Sequence, residues 1–254
     1  MDREEQLLFR RLRDLADTCY SRNIPVYTDF LNLNEQTVFL SKLSEFSHVR
    51  TVLHGGYEGA ERKIVCFLPA YEEDGPSGAQ LPFLPLRIRS SAGKFTVPCT
   101  HRDYLGAVLN LGIERGKIGD ILVGEGQAHL LCMRSMADFL TENLTSVRRN
   151  PVLCVRAELS ELAAQVVFTE MSGTVASLRM DSLLALFMKS SRSASGSVLD
   201  GERVFVNGRL CTSHSAVPRK GDVISVRGFG KFVFDGVSSS TKKGRLFITI
   251  RKYS

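Results

Sequence analysis

At 254 residues, 24% of them charged and 43% hydrophobic, the chain has room for two or three domains and a composition that argues against bulk disorder. Its longest apolar runs, SLLALFM from Ser182 and AVLNLG from Ala107, fall far short of the roughly 20 residues that cross a bilayer. The N-terminal MDREEQLLFRRLRDL interrupts its apolar positions with charges where a secretory signal needs an unbroken run, so a cytoplasmic protein without a membrane span is expected. The net charge of +6 is unevenly held: residues 179–254 carry 14 Lys/Arg against 5 Asp/Glu, a net +9, whereas the first 178 carry 19 against 22, a net −3. A basic excess confined to one small segment is the electrostatic footprint of a polyanion binder.

In residues 3–22, Leu7, Leu8, Leu12, Leu15, Ala16 and Cys19 recur at spacings of three and four, which predicts an amphipathic helix. Ile24-Pro25 breaks it. Asn34 then precedes EQTVFLSKLSEF, a second helix with Asn34 as its cap and Glu35 suited to the positive end of the dipole. Val49–His54 and Lys63–Leu68 read as strands joined by a glycine-bearing loop. PAYEEDGPSGAQLPFLP, from Pro69, has the Pro, Gly and acid content of a linker and marks a first boundary.

Beyond it come a strand at Leu86–Ser90, a helix at Arg102–Leu111, strands at Asp120–Val123 and Ala128–Met133, a helix at Met136–Leu144 and a strand at Val152–Ala157. This β-α-β-β-α-β order is that of a ferredoxin-like, RRM-like plait, with two helices on one face of a four-stranded sheet and the other face open. RNA-recognition domains stack bases on aromatics of that open face. The strands LRIRS, DILV, AHLLCM and VLCVRA hold no aromatic, which argues against base stacking there.

The last third opens on QVVFTEMSGTVASL, expected as a strand pair. A helix MDSLLALFMK, a turn at Ser190-Ser191, a short helix at Arg192–Leu199, the strand RVFVN and three glycine-punctuated strands follow. The fold class is therefore α+β in three small domains: an N-terminal α+β unit (1–75), the plait (76–160) and a basic C-terminal domain (175–254). Ser190 or Ser191 can cap the short helix, whose first turn exposes N–H groups and a positive dipole end to which Arg192 adds a full charge. That is an ordinary cap and also an anion site. Arg179, Lys189, Lys220, Arg227 and Lys231 could converge on the same face, Arg binding phosphate through its fork and Lys as a point charge. Asn207-Gly208 reads as a tight turn, and Asn207 is also a candidate donor to a phosphate or 2′-hydroxyl.

RMDSLLALFMKSSRSASGSVLDGERVFVNGRL followed by RKGDVISVRG resembles the α-L RNA-binding fold of a small-subunit ribosomal protein, many pseudouridine synthases and bacterial tyrosyl-tRNA synthetases. Arg179-x-Asp181, Ser191-Arg192, the V-x-V-N strand and Gly221-Asp222 stand in the expected order, with Met180 where that family usually shows leucine. HRDYLGAVLNLGIERGKIGDILV, GFGKF and TKKGR resemble the YlmH family of bacterial RNA-binding proteins over nearly the whole chain. That resemblance implies partners in rRNA or tRNA and the large ribosomal subunit, in quality control of stalled peptidyl-tRNA, and a neighbourhood of cell-division genes. The candidate RNA contacts are Arg179, Lys189, Ser191, Arg192, Ser193, Asn207, Lys220, Arg227, Lys231, Lys242 and Lys243, with Arg102, Arg115 and Lys117 as secondary candidates.

Enzymatic chemistry finds little support. His101 and Asp103 lie two apart on a helix and face different ways, so Asp103 is read as a partner of the helix N-terminus. Gly124-Glu125-Gly126 joins two strands and is read as a hairpin turn rather than a nucleotide loop. The six cysteines lack C-x-x-C spacing and read as small hydrophobes, and Cys99-Thr100-His101 alone makes a poor metal site. No catalytic residue, metal or cofactor is expected, and the protein is expected to act as a monomer. The alternatives are an RNA-modifying enzyme anchored by the basic domain and an adaptor in cell division.

Overall fold

The computed structural model describes residues 3–72, 80–92, 97–163, 168–241 and 244–253. The chain divides into two compact units, Met1–Gln165 and Val166–Ser254. Lys242, Lys243 and residues 73–79 of the expected linker lie outside the described residues.

In the first unit, α1 (Arg3–Arg22) buries Leu12, Ala16 and Cys19 on one stripe and leaves Leu7 exposed. β1 (Val26–Tyr27) leads to α2 (Leu33–Ser41), whose cap is Asn32 rather than Asn34. The Glu35 amide donates to Asn32 Oδ1 at 3.0 Å, and the Asn32 amide donates to Glu35 Oε2 at 2.6 Å. This capping box requires an acid three residues after the cap, which selects Asn32 over the equally suitable Asn34. β2 (Arg50–His54) and β3 (Ile64–Leu68) complete an antiparallel sheet ordered β1-β3-β2.

All five β3 residues are buried because both faces are covered. Val65 and Phe67 pack with Leu12, Ala16, Phe39 and Phe46 beneath the helices. Ile64, Cys66 and Leu68 face the other way, into a core shared with Phe83, Leu131 and Leu162.

Those last residues belong to the plait: β4 (Phe83–Ser90), α3 (His101–Leu109), β5 (Ile118–Gly124), β6 (Gln127–Met133), α4 (Arg134–Asn143), β7 (Ser146–Val147) and β8 (Asn150–Arg156). The antiparallel order β5-β6-β4-β8-β7 is the split ferredoxin-like arrangement with a short fifth strand added by the β7–β8 hairpin. Leu86, Ile88, Leu130 and Cys132 face α3 and α4 with Tyr104, Val108, Ala137 and Leu140. The opposite face is open only in part, where the sequence suggested an open face. Phe83, Phe30 and His54 meet there, the Phe30 and His54 ring centroids 5.1 and 5.8 Å from that of Phe83, and α5 (Leu159–Ala163) adds Leu159 and Leu162. The N-terminal sheet and α5 thus cover the Phe83 and Leu131 end of this face, while the register partners Arg89 and Leu153 towards its other end stay exposed. Gly119 of β5 reflects that closeness, since a Cβ there would stand 2.8 Å from Phe30 and 2.9 Å from Leu131.

The second unit begins with β9 (Phe168–Val175), a single strand where the sequence suggested a pair. It pairs with the chain's last strand instead, residue for residue from Phe168↔Tyr253 to Val175↔Leu246. Helices α6 (Met180–Met188) and α7 (Arg192–Asp200) follow, then β10 (Val204–Val206), β11 (Arg209–Leu210), β12 (Val223–Val226), β13 (Gly230–Ser240) and β14 (Leu246–Tyr253). The sheet order is β11-β10-β12-β13-β14-β9. Leu183, Leu184, Phe187, Val198 and Leu199 of the helices pack on Val204, Ile224, Phe232, Phe234, Ile248 and Ile250, so both helices cover one face. Alternation along each strand sends Phe205, Ser225, Lys231, Arg251 and Tyr253 to the other face.

Candidate nucleic-acid interface

The turn between α6 and α7 is built by three consecutive residues with different tasks. Lys189 ends α6 in the left-handed conformation at φ 49°, with its side chain exposed. The Ser190 hydroxyl is buried without a partner among the described residues. Ser191 is the cap of α7, its Oγ accepting from the Ala194 amide at 3.2 Å.

Local bonds then draw the first turns of both helices together. The Arg179 guanidinium meets the Asp181 carboxylate at 3.2 and 3.3 Å. The Arg192 Nη2 donates to Ser182 Oγ at 2.9 Å, and Ser195 Oγ donates to the Asp181 carbonyl at 2.9 Å. Asp181 is pushed up by burial and pulled further down by Arg179 and Ser182, so its carboxyl rests below the usual range. The result is two helix N-termini side by side, two guanidiniums and the exposed Ser191 and Ser193, a constellation that suits phosphate oxygens.

Other candidates lie elsewhere on this unit. Asn207 takes φ 49° and Gly208 φ 78°, the pair of left-handed residues that a two-residue hairpin between β10 and β11 demands. The Asn207 amide is engaged internally, its Nδ2 donating to Asp222 Oδ1 at 2.8 Å and its Oδ1 accepting from the Val223 amide at 2.9 Å. Asp222 also accepts from the Arg219 amide at 2.7 Å, so it ties its own loop to the β10–β11 turn. The stem of Lys220 lies over Gly236 and its residue is exposed. Arg227 lies over the Phe205 ring at 4.7 Å and Lys231 over Tyr253 at 5.2 Å, on the sheet face opposite the helices. Burial lowers Lys231 to about 8. The expected convergence of all the basic residues on one face therefore does not occur: Arg179, Lys189 and Arg192 share the helix side, and Lys231 with Arg227 points away.

The sequence reading overlooked Lys252. It lies on the inner face of β14, opposite Thr169 and Phe232, its Nζ 5.9 Å from the Phe187 ring. It lines a pocket of ≈ 570 Å³ together with Lys189 and Phe229. The alternation in ITIRKY carried the signal, because Ile248 and Ile250 point to the core and the same parity brings Lys252 to its edge.

In the first unit the three secondary candidates separate. Arg115 donates to the Ile118 and Gly119 carbonyls at 2.5 and 3.2 Å, and burial, with Arg62 beside it, lowers it to about 10. Lys117 Nζ is held by Asp29 at 2.8 Å. Lys117 thus ties the plait to the segment between β1 and α2, whereas the Arg115 side-chain bonds stay within its own loop and β5. At the centre of this junction the half-buried Asp120 accepts from Tyr57 Oη at 2.7 Å and from the Glu61 and Arg62 amides at 2.7 and 3.1 Å. Arg102 instead lines a polar groove of ≈ 480 Å³ between α3 and the α4–β7 turn, with Arg148, Asn110 and Asn143. Asp103 closes the N-terminus of α3, as the sequence suggested, accepting from the Thr100 amide and hydroxyl, both at 2.8 Å. The Thr100 amide bond, then its hydroxyl bond, holds the Asp103 carboxyl below its usual range.

Gly124 and Gln127 are register partners, so Glu125-Gly126 is a hairpin turn. Among the described residues no group of three or more His, Cys, Asp or Glu is placed to hold a metal ion, and no helix is long and apolar enough to cross a membrane. Cys19, Cys66, Cys132 and Cys154 are buried, and burial pushes the last three thiols up to about 12.

Comparison with known proteins bears on both units. Residues 4–71 match the family model described as "YlmH, N-terminal", and residues 87–161 match "Putative RNA-binding domain in YlmH". A Bacillus subtilis protein named ribosome-associated protein quality control protein P2 is 33% identical over 226 residues, 89% of this chain and 86% of that one. A solved structure titled cell division protein ylmH, from Streptococcus pneumoniae, superposes with a TM-score of 0.51 at 23% identity, covering 63% of this chain and 95% of that one, a likeness of fold. The chain belongs to the YlmH family.

Proposed function

We propose that this chain is a non-catalytic RNA-binding protein that docks on structured rRNA or tRNA of the large ribosomal subunit, acting as a cytoplasmic monomer in quality control of stalled peptidyl-tRNA. The observation that carries the reading is the junction of the α6 and α7 N-termini. There Arg179 and Arg192 are positioned by Asp181 and Ser182, with Lys189 at the other end of α6, in a segment of net charge +9. The 33% identical relative named for ribosome-associated quality control supports the setting. Recognition proceeds through phosphates and shape, with Arg forks and helix N-termini on the backbone of an RNA helix or junction.

With the Phe83 and Leu131 end of the plait sheet covered, RNA contact of the first unit is assigned to its helix side, where Arg102 and Arg148 border the polar groove. The plait then orients the protein or meets a partner, while the second unit supplies affinity. Sedimentation of the tagged protein through a sucrose gradient of cell lysate tests the reading. It is expected to travel with the large subunit at low salt, particularly after stalling is induced, and to leave it as salt rises. Migration with division proteins at every salt concentration, and no RNA in the fraction, would overturn the reading.

A further inference from the structure

We infer that the pocket at the C-terminal end of α6 receives a single unpaired nucleotide of the bound RNA. The inference rests on the RNA-binding reading and adds the kind of RNA that is selected. One wall is the last row of the inner sheet face, in which Thr169, Lys252 and Phe232 are register neighbours on β9, β14 and β13. The end of α6 supplies Phe187, Met188 and Lys189. Across from them Phe229 projects from the turn between β12 and β13 and is 44% exposed. Gly228 and Gly230, at φ 87° and 109°, form that turn around it.

The chemistry is specific. Phe229 offers the exposed π-face, with the Arg203 guanidinium 5.8 Å from its ring centroid, and Phe187, 7% exposed and held on Phe232 at 4.4 Å between centroids, closes the floor. Lys189 and Lys252 offer two ammonium groups, and no carboxylate is among the described residues that line the pocket. The ≈ 570 Å³ volume falls in the range of small-ligand sites and accommodates a base with its sugar and phosphate. An apolar, aromatic floor between two cations suits an aromatic anion, whereas the regular backbone of a duplex cannot enter it. A base turned out of a bulge, loop or junction can enter, stacking on Phe229 while its phosphates meet the lysines.

Binding of the full chain to a fluorescent RNA duplex and to the same duplex with a one-nucleotide bulge tests this. The ratio of the two affinities reads the pocket, because general electrostatics scale both. The wild type is expected to favour the bulged RNA by about tenfold, the scale of one base–aromatic contact. Phe229→Ala and Lys252→Gln are each expected to bring the ratio near one. Phe229→Leu retains bulk without a π-face and gives the same readout should the alanine variant fold poorly. A ratio near one for the wild type, or one that survives the substitutions, overturns the pocket and leaves the RNA-binding reading standing. No binding to either RNA at low salt overturns both. Adenosine and uridine monophosphate serve as competitors: binding of either as tight as that of the bulged RNA would assign the pocket to a free nucleotide and overturn the inference.

Discussion

Replacing Lys189 and Arg192 together with alanine is expected to change the salt dependence of RNA binding by a calculable amount. Both residues are exposed; Arg192 gives only Nη2 to Ser182 and keeps the rest of its fork for solvent or a phosphate. Each phosphate neutralised contributes roughly 0.7 to 0.9 to the slope of log affinity against log salt, so losing two contacts lowers it by about 1.4 to 1.8. Between 50 and 200 mM salt the wild type should then lose about 7- to 12-fold more affinity than the double variant. The cost to folding is small, about 1 kcal/mol for the Arg192–Ser182 bond, because the Ser191 cap of α7 stays in place. Fluorescence anisotropy with an rRNA hairpin across a salt series measures the slope, and urea unfolding checks the fold. A double variant with the wild-type slope and a wild-type melting curve would refute the assignment of this surface.

Three further outcomes follow from the same geometry. Ser191→Ala should destabilise the second unit by about 1 kcal/mol through loss of the α7 cap, yet leave the salt slope unchanged, as salt-series binding and urea unfolding will show. Tyr57→Phe removes a donor to the half-buried Asp120 carboxylate and should lower stability by about 1.5 to 3 kcal/mol in denaturant unfolding, with RNA affinity of the folded protein intact. Lys231 titrates near 8 when folded against 10.5 as the ordinary value, so between those limits the unfolded chain binds the extra proton and stability rises with pH. Unfolding measured at about pH 7.5 and pH 9.5 should show that rise in the wild type and its reduction in Lys231→Met.

The sequence was most legible where periodicity and capping chemistry act locally. The amphipathic stripe of α1, the β-α-β-β-α-β order and the helix-turn-helix before a glycine-punctuated sheet all follow from neighbours in sequence, and the structure has them. What was not legible depends on long-range packing. Nothing local to LPFLP or AHLLCM announces that Phe83 and Leu131 meet Ile64, Cys66 and Leu68; only the unbroken apolar run IVCFL hinted that β3 is covered on both sides. The pairing of β9 with β14 joins residues far apart in sequence, so it was invisible to local patterns. Charge alone suggested a single basic face, but strand alternation turns Lys231 away from the helices and brings Lys252 towards them. Lys117 looked like a loop cation; its Asp29 partner, 88 residues away, comes from the fold.

The central claim is that RNA is held by the α6–α7 junction of the second unit, and ultraviolet crosslinking in cells followed by mass spectrometry of the RNA-bearing peptides tests it most directly. Crosslinked large-subunit rRNA or tRNA on peptides spanning Arg179–Arg192, lost in the Lys189/Arg192 double alanine variant, is the expected result. Crosslinks confined to residues 1–165, or none at all in a protein that still performs its cellular role, would contradict it.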